Sequence, residues 1–214
     1  MPVVKLHAEE TVFFLCDIQT KFQDAIYGYR DVIAVSNKMI KIAKVLEIPL
    51  VATEQNPRAL GSTDPAIDLT ALGPLHLGTY HKTLFSMATP EVLASLSGRT
   101  VTPQIVLFGI EAHVCVLQTA LDLLDLGYPV HVLADGVSSC NREEVPIALE
   151  RIRQAGGLVT TSESAAFQLQ RDSNRPNFKA FSAIIKEEKV PTKSAVETLC
   201  PLSTGPRTDT KSAL

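Results

Sequence analysis

The stretch Gln104–Gly127, QIVLFGIEAHVCVLQTALDLLDLG, contains a strand, a joint and a helix in direct succession. Its opening run, QIVLFG, is apolar almost without interruption, as expected of a strand covered on both faces. From Val116 the pattern turns helical: Leu117, Leu121 and Leu124 share one stripe, while Gln118, Asp122 and Asp125 share the other. Gly127 stands where a C-terminal cap belongs. Between strand and helix lies GIEAHVC, Gly109–Cys115, too polar for a buried connection without a task.

The same alternation runs along the chain. Further strands are expected at 11–16 (TVFFLC), 48–53 (IPLVAT), 129–134 (PVHVLA) and 157–161 (GLVTT), with helices at 31–48 and 143–157. Gly156 and Gly157 close the second of these helices, and Thr160 with Glu163 has capping-box spacing for a further one. Alternating strands and helices predict a parallel, doubly wound sheet. The segment 57–74 is rich in Gly, Pro, Ser and Thr, a long connection of the kind that often lies over a site. From about Val190 the chain turns polar, with Pro191, Pro201 and Pro206, and reads as a tail, disordered or draped on a partner subunit. The expected organisation is therefore one domain over 1–188 and a polar C-terminal tail over 189–214.

A chain of 214 residues suffices for one well-buried domain, and 45% hydrophobic with 20% charged residues is globular composition. The formal charge is −3, from 20 basic and 23 acidic side chains with no basic stripe, which disfavours nucleic-acid binding driven by an overall positive field. The N-terminus carries no basic region followed by a long apolar segment, and the chain reads as soluble and intracellular. The terminal SAL lacks the basic middle residue of a peroxisomal signal. Four separated cysteines, Cys16, Cys115, Cys140 and Cys200, show no C-x-x-C pairing and are expected as free thiols.

In open parallel sheets, ligands bind beyond the carboxyl ends of the strands. Those ends offer Asp17; Thr53, Glu54 and Gln55; the GIEAHVC joint; and Asp135, with Lys82 in the short extended stretch YHKTLFSM. No G-x-G-x-x-G follows a strand and no phosphate-binding loop motif occurs, so neither a dinucleotide nor a nucleoside triphosphate is expected as cofactor. Cys115 falls at or just before the first helical turn, where free N–H groups and the helix dipole favour a thiolate and can stabilise an oxyanion. A carboxylate near the thiol would accept its proton, and a lysine near both would hold them, with Asp17 and Lys82 the candidates. Taken singly, each has a plainer explanation: a buried structural cysteine, a helix-capping aspartate, a solvated lysine, and loop-surface positions for Glu111 and His113.

Together, FFLCDIQTKF, HKTLFSM, GIEAHVCVLQTALDLL and LADGVSS resemble, in order over about residues 10–170, the isochorismatase-like cysteine hydrolase superfamily. VATEQNPRALG and TTSESAAFQLQ make the chain most similar to the branch of isochorismatase domain-containing proteins. The resemblance implies a Rossmann-like three-layer α/β/α sandwich around a six-stranded, mainly parallel sheet. It also implies a triad of Asp17, Lys82 and Cys115, a cis peptide between Ile110 and Glu111, and an oxyanion hole from the backbone N–H groups of Glu111 and Cys115. Gln19, Phe22, Glu54 and His113 are the candidate pocket residues. The implied activity is hydrolysis of an amide, ureido or similar C–N bond of a small molecule through a covalent acyl-enzyme. A homo-oligomer, dimer or tetramer, is implied as well, in the cytoplasm or in association with mitochondria.

Two departures from the family pattern bear on activity. Metal-binding nicotinamidases carry D-x-H after the second strand, where this chain has Gln55, Asn56 and Pro57, so no metal is expected there. True isochorismatases lack the cysteine, so Cys115 argues against that reaction. Two alternatives come from other classes: an RNA-cleaving role, since kinetoplastid relatives are described as mitochondrion-associated ribonucleases, with His81 and His113 near Lys82 as its available groups; and a non-catalytic binding or scaffold protein.

Overall fold

The computed structural model describes residues 4–200. Six strands, β1 (Thr11–Cys16), β2 (Leu50–Gln55), β3 (His76–Lys82), β4 (Gln104–Ile110), β5 (Val130–Ser138) and β6 (Leu158–Thr160), form one sheet in the order β3-β2-β1-β4-β5-β6. Every pairing is parallel. Between and after the strands lie α1 (Tyr29–Leu46), α2 (Pro57–Leu60), α3 (Pro90–Ser95), α4 (Leu117–Asp125), α5 (Glu144–Gln154), α6 (Ser162–Gln170), α7 (Phe178–Glu187) and α8 (Lys189–Leu199).

The apolar runs of the central strands are continuous because both faces are covered, and their alternation assigns each residue to a layer. Phe13, Leu15, Val106 and Phe108 point into a core shared with α1, α6, α7 and α8. Val12, Phe14, Cys16, Ile105 and Leu107 point the other way, against residues of α3, α4 and α5. The result is the expected three-layer sandwich, with an all-parallel sheet. No helix among the described residues is long and apolar enough to cross a membrane.

The structure corrects three local expectations. The 57–74 connection is not structureless: it holds α2, a 3-10 segment at Leu69–Leu75 and a bridge from Thr63 to Gln19. The N-cap of α6 is Thr161, whose hydroxyl accepts from Ser164 N at 3.3 Å, because Thr160 remains in β6. The tail expected from residue 189 is helical as far as Leu199; residues 201–214 lie outside the described range. The buried face of α8 is Thr192, Ala195 and Leu199, too polar and too small to register as an apolar period. Lys38, buried in α1, donates to Thr192 Oγ1 at 2.9 Å and Ser162 Oγ at 3.1 Å, so the polar residue of that face is a hydrogen-bond partner rather than a solvated group.

A chain ended after residue 188 loses Leu199 from the core and leaves the Lys38 ammonium short of a partner. Denaturant unfolding should place it at least about 3 kcal/mol below a chain ended at residue 200.

His131, in β5, is buried with its Nε2 unpartnered among the described residues, and desolvation lowers its pKa to about 4. A depressed folded-state value below an unfolded value near 6.5 means that the contribution is complete above about pH 6.5 and is lost as pH falls toward 4. Stability measured across that window should fall by about 3 kcal/mol in the wild type from this group, and the slope should flatten in His131→Leu.

Candidate active site

After β3 the chain crosses back to place β4 on the other side of β1, so a crevice opens beyond the carboxyl ends of β1 and β4. Asp17 follows β1 directly and is 1% exposed, in the left-handed region at φ 50°. Few non-glycine residues adopt that conformation, and here it turns the carboxylate back over the sheet end. Lys82 ends β3, and its Nζ lies 2.6 Å from Asp17 Oδ2. The intervening β2 supplies Thr53, whose hydroxyl donates to Asp17 Oδ1 at 2.7 Å, and Gln55, whose Oε1 accepts from Lys82 Nζ at 2.8 Å. The ammonium also reaches the carbonyls of Leu84 at 3.2 Å and Phe85 at 2.9 Å. Charge and hydrogen-bonding capacity are thus met on both sides of a fully buried pair.

Cys115 arrives from the other side of the crevice. Gly109 sits opposite Cys16 at the end of the β1–β4 ladder with φ 125°, and a Cβ there would collide with the Cys16 carbonyl, so only glycine fits. The Ile110–Glu111 peptide is cis, and a wide helical turn, Ala112–Val116, follows before α4. Cys115 lies in that turn, 6% exposed. Thr119, one turn on, donates to the Cys115 carbonyl at 2.6 Å and accepts from Met87 N at 2.8 Å, tying the cysteine-bearing helix to the loop after Lys82.

The groups sense one another electrically. Burial acts to lower the Lys82 pKa, but the fields of Cys16, Asp17 and Cys115 and the hydrogen bond to Asp17 outweigh it and hold the ammonium above the ordinary lysine value. Cys16 is pushed far above the ordinary thiol range, first by burial, then by its contact with the Cys115 thiol and by the Asp17 charge. It remains a neutral thiol beside Cys115.

The remaining candidates separate. Gln19 is fully buried, donating to the carbonyls of Gln55 and Gly61 at 3.0 and 2.6 Å and accepting from Gln55 N at 2.7 Å, so it clamps the loop rather than facing a ligand. Glu54 accepts from Thr63 N and Oγ1 at 2.6 and 2.8 Å and meets His81 Nε2 at 3.2 Å. Phe22 packs against the core on the α1 side. His113 is half-buried, its Nδ1 at 2.9 Å from Ser139 Oγ. Asp135 lies within β5, where it accepts from Ser162 N and Oγ at 2.7 and 2.6 Å, and its role is structural. A cavity of about 770 Å³ opens beside Lys82, lined by Asn56, Pro57, Arg58, His81 and Thr83. Sequence reasoning did not pick out Cys16 or Thr53 as partners of Cys115 and Asp17, or Gln55 as a partner of Lys82; their places at strand ends next to β1 were the available signal.

The isochorismatase domain profile matches residues 11–164. Isochorismatase domain-containing protein 2 of Xenopus laevis is 45% identical over 183 residues, covering 86% of this chain and 87% of that one. Among solved structures, MAR1 ribonuclease from Caenorhabditis elegans superposes with a TM-score of 0.82 at 37% identity, covering 94% of this chain and 100% of that one. The YcaC gene product of Escherichia coli, described as an octameric hydrolase of unknown specificity, has a TM-score of 0.79 at 19% identity, covering 92% and 97%.

Removing the lysine alone strands a buried carboxylate. Lys82→Met should destabilise the fold by about 3–5 kcal/mol in urea unfolding, whereas Asp17→Asn combined with Lys82→Met should be less destabilised than the sum of the single changes by about 2 kcal/mol. Additive effects would show that the pair is not coupled.

Proposed function

This chain belongs to the isochorismatase family and is a hydrolase, and on that footing we propose that it cleaves the C–N bond of a small amide or ureido substrate through a thioester on Cys115, without a metal. The observation that carries the reading is the convergence of a buried, fully hydrogen-bonded Asp17–Lys82 pair with Cys115 across the crevice between β1 and β4.

The proposed chemistry assigns each group one task. Asp17 takes the Cys115 proton, and the sulfur attacks the substrate carbonyl carbon. The oxyanion is met by the backbone N–H groups of Glu111 and Cys115. Collapse breaks the C–N bond, and the leaving nitrogen takes the proton back from Asp17. Water, deprotonated in turn by Asp17, then attacks the thioester and releases the acid and the free thiol. Lys82 orients Asp17 through the 2.6 Å contact, while Cys16, held neutral, turns a weak S–H donor toward the reacting sulfur. Metal independence is supported by the residues at the end of β2 and just beyond it: Gln55 is engaged by Lys82 and Gln19, and Pro57 has no ligand atom in its side chain. The exposed Leu84 and Phe85, next to the carbonyls that hold Lys82, support a subunit contact at the rim of the site.

A second reading, RNA cleavage, rests on the likeness to the worm protein named a ribonuclease. Against it, Lys82 is locked to Asp17 inside the protein and is withheld from a phosphate.

A panel of small amides and ureides should give turnover in the wild type, with an acyl adduct on Cys115 visible by intact mass after rapid acid quench. Cys115→Ala should abolish the adduct, and Asp17→Asn should slow turnover by about 10²–10⁴-fold. RNA cleavage that is lost in Cys115→Ala, with no amide turned over, would replace the first reading by the second; an adduct that persists in Cys115→Ala would overturn the assignment of the nucleophile.

A further inference from the structure

Outside the triad, the two segments that border the crevice bring three metal-binding side chains together. Glu111 and His113 come from the joint after β4, and Cys140 from the loop after β5. One ligand atom from each, a carboxylate oxygen, an imidazole nitrogen and the thiol sulfur, lies within 4.8 Å of the others. We infer that Glu111, His113 and Cys140 form a Zn²⁺ site at the rim of the active site.

The donor set fits that ion. Carboxylate, imidazole and thiolate are the three ligand classes that zinc accepts, and sites with three protein ligands keep a fourth position for water or an oxygen ligand. On binding, the Cys140 thiol releases its proton to solvent. One thiolate, one carboxylate and a neutral imidazole then leave the dication electrically neutral. A tetrahedral zinc with bonds of about 2.0–2.3 Å draws its ligand atoms to roughly 3.3–3.8 Å apart, so the cluster needs to close by about 1 Å. Cys140 is exposed in a loop, and rotation of its side chain can supply that movement.

The surroundings already hold the ligands in place. Glu111 Oε2 accepts from Cys140 N at 2.8 Å, and the Cys140 thiol also hydrogen-bonds to that carboxylate, which joins the two segments. Ser139 Oγ lies 2.9 Å from His113 Nδ1, the kind of outer contact by which a ligating imidazole is oriented. This position is separate from the one at the end of β2, where Gln55, Asn56 and Pro57 stand. Cys115 is not a ligand, so the site does not depend on the nucleophile, although it places a dication only two residues along the chain from it.

Cobalt titration of the reduced, metal-stripped full chain tests this, because Co²⁺ bound to a thiolate gives a near-ultraviolet charge-transfer band. The wild type should bind one equivalent with that band, and Zn²⁺ should displace it. Cys140→Ser should lose the band while retaining the wild-type melting curve; Cys16→Ser and Cys115→Ser should keep it. Ser139→Ala should weaken Co²⁺ binding about tenfold or more. A wild type that binds no stoichiometric metal, a band that survives Cys140→Ser, or one that disappears in Cys115→Ser would overturn the assignment. Loss of amide turnover leaves this result unaffected, so the two ideas fail separately.

Discussion

Burying Asp17 and Lys82 against each other, 1% and 5% exposed, is the constraint on which the rest of the site depends. Two ions taken out of water are tolerated only if geometry and hydrogen bonding replace the lost hydration. That requirement explains the Thr53 hydroxyl on one carboxylate oxygen, the Gln55 amide on the ammonium, and the bend after β3 that aims two carbonyls at Lys82. The bend leaves Leu84 and Phe85 with their side chains exposed. The left-handed backbone of Asp17 is a further consequence, since an extended residue there would carry the carboxylate away from the lysine.

A second buried lysine shows how strongly surroundings decide the behaviour of the same side chain. Lys38 is also almost wholly buried, but its close partners are the neutral hydroxyls of Ser162 and Thr192, with Glu163 at 3.8 Å. Desolvation prevails, and its pKa falls. At Lys82 the Asp17 carboxylate in direct contact reverses the sign. The layers divide the same way: Lys38 works on the α1 face, where it joins helices, and Cys16 and Cys115 lie on the α4 face, where chemistry is proposed.

Much of this was legible in the chain. The apolar runs located five of the six strands: β1, β2, β4 and β5 because strands covered on both faces cannot disguise themselves as polar segments, and the short edge strand β6 because its β-branched Val and Thr follow a pair of glycines. Only β3, HLGTYHK, escaped as a strand in its own right: it is an edge strand, half-buried along most of its length, and its residues show neither a continuous apolar run nor clean alternation. Helix α8 escaped for a related reason, since its buried face is Thr, Ala and Leu and its polar member is satisfied by a lysine 154 residues away. At the site, Asp17, Lys82 and Cys115 were recognisable as motif residues. The partners that complete them, Thr53, Gln55 and Cys16, are ordinary residue types whose roles arise only from strand order, and the Gln19 amide serves three backbone groups that sequence spacing does not bring together.

The contact between Lys38 and Thr192 also bears on how the protein is made. Synthesis proceeds from the N-terminus, so α1 leaves the ribosome long before the residue that completes its hydrogen bonds exists. Until α8 has emerged, the Lys38 ammonium is without one of its two hydroxyl partners and the surface of α1 near Gly28 lacks the Leu199 side chain that packs there. All six strands precede α8 in the chain, so in the order of synthesis the α1 layer is completed after every strand of the sheet has been made.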